Sequence, residues 1–188
     1  MSVRDLARIA VFAALTAAMG LVGSITLAGG VPITLQSLGV MLAGAVLGPW
    51  RGAASMGLLK LGVAIGLPLL AGGRGGIGVF VSPTAGYLIG YVIAPIVIGL
   101  IVRGRPTWLR VGLGCLIGGI FSIYVFGIPV QAWLTELSLV ESLITSLVFL
   151  PGDLTKMVVA TLITMALFRA SPQSFESEGV QREVAVAH

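Results

Sequence analysis

After Arg8 the chain runs almost unbroken through apolar residues to position 28, and comparable apolar runs recur as far as position 168. These runs constrain the fold more than any short motif. In water they would leave a large greasy surface, whereas a hydrocarbon core about 30 Å thick is crossed by roughly 20 such residues in a helix. A bilayer also demands helices, because every backbone N–H and C=O must find its partner inside the segment. Composition agrees: 57% of the 188 residues are hydrophobic, 10% are charged, and the mean hydropathy is +1.08. A soluble domain carries roughly 25% charged residues. The fold class expected is an all-α integral membrane protein, which rules out soluble enzyme folds.

Six spans are expected, over residues 6–28, 34–48, 52–70, 84–102, 111–133 and 151–168. Together residues 1–169 form one six-transmembrane-helix bundle with glycine-rich outer loops, and residues 170–188 form a polar, disordered cytoplasmic tail. The apolar region 137–168 is too long for one straight span, and Pro151-Gly152-Asp153 divides it. Residues 137–150 are read as a short helix at or dipping into the surface, with Pro151 in the first turn of span six, where a missing N–H costs little.

Charge placement sets the orientation. With the N-terminus in the cytoplasm, Arg4, Arg8, Arg51, Arg103, Arg105, Arg110, Arg169 and Arg182 fall inside, Arg74 falls outside, and Lys60 and Lys156 lie within spans. Such a bias is the positive-inside pattern of an even-spanning protein with both termini cytoplasmic. Trp50, Trp108 and Trp133 fall at span ends, as an aromatic belt does. The basic start followed by apolar residues also suits a signal peptide, but the apolar run exceeds the usual 7–15 residues, and cleavage would leave an odd number of spans. The net charge of +4 and pI near 9.8 therefore reflect topology, and nucleic acid is not an expected partner.

Several chemistries are excluded. The single histidine is the terminal His188 and the single cysteine is Cys115, so no Cys/His metal cluster and no internal disulfide can form. A Ser-His-Asp triad is out, as is ATP hydrolysis through a Walker A loop. The stretch Gly72–Gly78 contains a literal G-x-G-x-x-G, but no strand precedes it and no acidic residue follows at the required distance. It reads better as a lid or re-entrant loop over a site, since glycines allow sharp turns and close backbone approach.

Residues 66–91 read GLPLLAGGRGGIGVFVSPTAGYLIGY. With Pro32-Ile33-Thr34-Leu35-Gln36 upstream and Pro151-Gly152-Asp153-Leu154-Thr155-Lys156 downstream, the chain resembles the BioY family from about residue 6 to 169. These are biotin-binding S components of energy-coupling factor transporters. The resemblance implies a six-helix subunit of the bacterial cytoplasmic membrane that captures biotin from the outer side. It also implies a membrane coupling protein and a pair of ATP-binding-cassette ATPases as partners, although some family members work alone. The implied role is that of a transport subunit and not an enzyme; biotin is its substrate, and no cofactor is expected.

The leading site candidates are Asp153 and Lys156. Ionisable groups in a bilayer are expensive, so they face a cavity or each other, and a spacing of three puts both on one helix face. A helix start also favours the negative charge of Asp153. Two readings stand: a ligand site matched to the ureido N–H groups and carboxylate of biotin, or an ion pair with Asp153 as a helix cap. Gln36 offers a donor and an acceptor to a ureido group, or is a polar loop residue. Thr34 is a weaker ligand candidate. Arg74 meets a ligand carboxylate or a lipid phosphate. Tyr87 stacks on a ligand or anchors the interface, Tyr91 packs, and Phe80 covers a ligand ring or packs in the core. Lys60 is read as snorkelling to cytoplasmic water. Ala10, Ala14 and Ala18 form a small-residue stripe, open to docking of the coupling protein or to packing within the bundle. Competing readings are an S component for another vitamin, a stand-alone biotin transporter, an intramembrane acid–base enzyme built on Asp153 and Lys156, and a non-transporting scaffold.

Overall fold

A computed structural model of the protein describes residues 2–22, 25–26 and 31–171, with backbone alone at 25, 26, 32 and 33. The tail beyond 171 and part of the expected first span lie outside the described residues. Among the described residues the regular elements are helices, apart from a two-residue antiparallel ribbon in which Ile25–Thr26 (β1) pairs with Pro32–Ile33 (β2), Ile25 opposite Ile33 and Thr26 opposite Pro32.

Helix α1 (Val3–Leu21) opens with a capping box: Ser2 Oγ accepts from the Asp5 amide at 3.2 Å, and Asp5 Oδ2 accepts from the Ser2 amide at 3.0 Å. Both are N–H groups that a helix start leaves open. The helix stops at Leu21 and not at 28; Gly23 and Ser24, poor helix formers, follow in the sequence. Helix α2 (Gln36–Leu47) is short, apolar and buried almost all round, which marks a helix enclosed by others. It is packed by α1, by α3 (Pro49–Ala64), by α4 (Ala85–Val102) and by α8 (Leu150–Ala170). Asp5 near the start of α1 and Arg51 near the start of α3 form an ion pair at 3.1 Å, so these two helices run the same way, with α2 returning between them.

Helix α3 ends at Ala64, short of the expected 70. Residues 65–76 instead make tight turns in which Gly66, Gly72, Gly73 and Gly76 take φ values of +103°, +74°, +70° and +85°, a region that favours glycine. Lys60 lies four residues from the end of α3 and eleven from its start, about 6 Å and about 17 Å at the helical rise, so the end marked by Arg51 is the farther one.

A 3₁₀ turn (Ile77–Val81) leads into α4. A long rod, Trp108–Thr135, joins α5 (Trp108–Gly114), a π-helical stretch (Cys115–Ser122) and α6 (Ile123–Thr135). A second rod, Leu139–Ala170, joins α7 (Leu139–Ser146), a 3₁₀ turn (Leu147–Phe149) and α8. The expected break at Pro151 is thus a change of helix type without a loop, since proline in a first turn removes no intrahelical bond. Helix α7 packs on α6 with Ser142 and Ser146 buried, while Leu139, Val140, Leu143 and Ile144 face outward.

Among the described residues, three helices are long and apolar enough to cross a membrane: Ala85–Val102, Trp108–Thr135 and Leu139–Ala170. Large apolar side chains such as Leu61, Phe121 and Leu162 are more than half exposed on the outer surface. Water would penalise that surface and lipid would not. At one end of the bundle Arg169 closes α8 with its guanidinium 5.8 Å from the ring centre of Trp108, so the two long rods run antiparallel.

Candidate functional site

The first turn of α8 and the first turn of α2 meet inside the bundle. Pro151, in the first turn of α8, needs no donor partner, and Asp153 lies in the same turn, where the helix dipole favours a carboxylate. Asp153 Oδ1 accepts from Ser37 Oγ at 3.1 Å and from Lys156 Nζ at 2.9 Å, and Oδ2 accepts from Tyr124 OH at 2.8 Å. Lys156 Nζ also donates to Ser37 Oγ at 3.0 Å. Asp153 and Lys156 are buried, at 6% and 9% exposure. A buried ion pair is tolerable when further hydrogen bonds satisfy its remaining atoms, and here Ser37 and Tyr124 do so. Two of the three ammonium protons are engaged within this cluster, by Ser37 Oγ and Asp153 Oδ1.

These groups form one wall of a cavity that encloses about 640 Å³ of atom-free space, counting its open mouth. All six of the sequence-nominated ligand residues, Asp153, Lys156, Gln36, Tyr87, Arg74 and Thr34, line it. The apolar lining includes Leu88, Ile123, Phe149 and the ring of Tyr91.

The six do not present equal chemistry. Arg74 donates through Nε to the Ala71 carbonyl at 3.2 Å and through Nη1 toward Thr84 Oγ1 at 3.5 Å. A guanidinium stays cationic in a protein. Among the described residues no carboxylate forms an ion pair with it. The charged lining is therefore Arg74, Lys156 and Asp153, a surplus of one positive charge. Tyr87 has its hydroxyl turned into a buried network, donating to Gln131 Oε1 at 2.7 Å with Ser146 Oγ at 2.9 Å, so it offers the cavity its ring. Gln36 is 2% exposed and has both amide protons engaged with backbone carbonyls, Thr16 O at 3.2 Å and Leu69 O at 2.9 Å. Thr34 Oγ1 accepts from the backbone N–H of Gln36 at 3.2 Å, which leaves its own proton as a donor.

Ser37, Tyr124 and Phe149 escaped the sequence reading. A signal existed for two of them. Ser37 follows Gln36 directly, and a tyrosine hydroxyl inside an apolar rod needs a buried partner. Phe149 gave none, being one apolar residue among many. Phe80 packs with Val63, Leu70, Val79 and Leu88 and does not line the cavity. Ala10, Ala14 and Ala18 are all exposed, whereas Ala13 and Ala17 are buried in the bundle. Among the described residues the outer stripe is thus exposed, and the inner pair Ala13 and Ala17 packs in the bundle.

The BioY family model matches residues 1–173. The chain belongs to the BioY family. Similar proteins include the biotin transporter BioY of Rhodobacter capsulatus, 48% identical over 94% of this chain and 99% of the relative. The corresponding protein of Rhizobium etli is 44% identical over 92% and 97% of the two chains. Among solved structures, the S-component for biotin from an ECF-type ABC transporter superposes with a TM-score of 0.84 at 32% identity, covering 89% of this chain and 92% of that one. Membership and the long apolar helices together make this BioY-family chain a multi-pass membrane protein.

Proposed function

We propose that the chain captures biotin at the outer face of the bacterial cytoplasmic membrane, as the substrate-binding subunit of an ECF-type ABC transporter. The observation that carries this reading is the chemistry of the cavity lining: a hydrogen-bonded acid–amine cluster, an arginine that forms no ion pair among the described residues, and apolar side chains. Biotin has the complementary groups, with a ureido ring, an apolar thiophane and chain, and a carboxylate. Asp153 accepts ureido N–H groups, the third Lys156 proton serves the ureido oxygen, and Arg74 takes the carboxylate. Thr34 donates from the rim and the Tyr87 ring packs on the ligand. The surplus positive charge of the lining is what a monoanion requires.

In this reading the bundle crosses the membrane six times. The short α2 and α3 complete their crossings inside the protein, where α2 is enclosed by its neighbours and the turns of 65–76 line the cavity, as non-helical backbone at membrane depth must. Both termini lie in the cytoplasm, with Asp5, Arg51, Trp108 and Arg169 marking the inner end and Arg74 the outer. Residues 1–169 are the membrane domain, and the remainder is a cytoplasmic tail. The subunit performs no chemistry of its own and needs no cofactor; ATP hydrolysis belongs to partner ATPases. The exposed face of Ala10, Ala14 and Ala18 docks the membrane coupling protein, because small side chains allow close helix approach.

The test is to purify the protein from cells grown with labelled biotin. Label should copurify with the wild type and be lost in Asp153→Asn and Lys156→Ala. A wild type that carries no biotin, or tight binding retained in both variants, overturns the reading.

A further inference from the structure

Gln36 is surrounded on three sides by backbone. Its Nε2 donates to Thr16 O on α1 and to Leu69 O in the turns that follow α3, while its Oε1 accepts from the Ala71 amide at 3.2 Å. The residue between Leu69 and Ala71 is Leu70, whose amide donates to Arg74 O at 3.0 Å and whose carbonyl accepts from the Arg74 amide at 3.3 Å. The Arg74 side chain is tied back to Ala71 O. One buried amide thus pins both neighbours of the residue that holds the Arg74 backbone. On the far side stands Gly20 of α1. A Cβ there would lie 2.6 Å from Gln36 Nε2 and 3.0 Å from Leu69 O, so only glycine leaves room for this hydrogen bond.

We propose that Gln36 is a positioning residue, which clamps residues 69–71 to α1 and α2 and thereby holds the Arg74 guanidinium at the cavity. The clamp acts on the anionic end of the ligand and leaves the acid–amine cluster untouched. Gly20 belongs to the same device although it does not line the cavity. This rests on the reading of Arg74 as the partner of the biotin carboxylate.

The test compares biotin with biotin carboxamide, which keeps the ring and chain but has no negative charge. Binding to purified full-length protein is measured for the wild type, Gln36→Met, Gly20→Ala, Arg74→Gln and the Gln36→Met/Arg74→Gln double variant. Melting of each unliganded variant checks folding, and two variants on different helices keep the test open if one fails to fold. Each of Gln36→Met and Gly20→Ala should weaken biotin binding of the order of ten-fold, by degrading a charge-assisted contact, and change carboxamide binding less than two-fold. The double variant should bind no worse than Arg74→Gln alone, because both changes remove one interaction. Equal losses for the two ligands, or losses that multiply in the double variant, overturn the clamp. Wild-type protein that binds neither ligand overturns the proposed function instead.

Discussion

Replacing Asp153 by Asn changes almost nothing in shape and removes one charge. In the wild type the carboxylate accepts three hydrogen bonds, from Ser37, Lys156 and Tyr124, at 3.1, 2.9 and 2.8 Å. In Asp153→Asn the Lys156 ammonium keeps Ser37 as an acceptor but loses its counter-charge in a site where it is 9% exposed. Breaking a buried pair by removing one partner costs about 3–5 kcal/mol, a loss of more than 100-fold in the folded-to-unfolded ratio. The Asp153→Asn/Lys156→Met double variant leaves no charge behind. Its Asn oxygen can accept from Tyr124, its amide can donate to Ser37, and the methionine fills the lysine stem's volume. Most of the lost stability should therefore return, while biotin binding should not, because neither the anionic acceptor nor the ammonium donor is present. Thermal unfolding of the unliganded protein in detergent reads the first quantity and equilibrium binding of labelled biotin reads the second. A double variant as unstable as the single one would refute the charge-pairing argument. A stable double variant that still binds biotin tightly would refute the site.

Arg74→Gln should cost about 1.5–3 kcal/mol of biotin affinity, the range for a hydrogen bond to a charged group, and calorimetric titration of the purified protein measures it. Ala14→Leu should leave biotin binding unchanged and abolish uptake in a strain that depends on the complete transporter; unchanged uptake there would remove α1 as the docking face. The α7 capping box gives a further test: Glu141 accepts from the Ser138 amide at 2.8 Å and from its hydroxyl at 2.7 Å, so Glu141→Ala should quicken hydrogen exchange in the first turn of α7 and leave α8 unchanged.

Much of the site was legible because a bilayer makes polar side chains conspicuous. Asp153, Lys156, Gln36, Tyr87, Arg74 and Thr34 stand out from apolar surroundings, and all six line one cavity. Their division of labour was not legible. Gln36 looked like a ligand donor because its amide has the right groups, but sequence cannot say that two backbone carbonyls from distant segments already take both protons. Span ends were misplaced where local backbone preferences outweigh hydropathy: α3 stops before a run of positive-φ glycines although the apolar residues continue to Leu70. The junction at Pro151 erred the other way, since proline reads as a break but is harmless in a first turn.

Sequence by itself determined the medium and the helical class, because apolar runs and scarce charge permit no other solvent, and it determined the family through motifs spread along the chain. Only the tertiary structure decided who partners whom. Ser37 and Tyr124 reach Asp153 across 116 and 29 residues of chain, and Gly20 gives Gln36 its seat from another helix. Hydropathy is summed residue by residue along the chain, whereas a hydrogen bond requires two atoms within about 3 Å, a distance that helix packing alone sets.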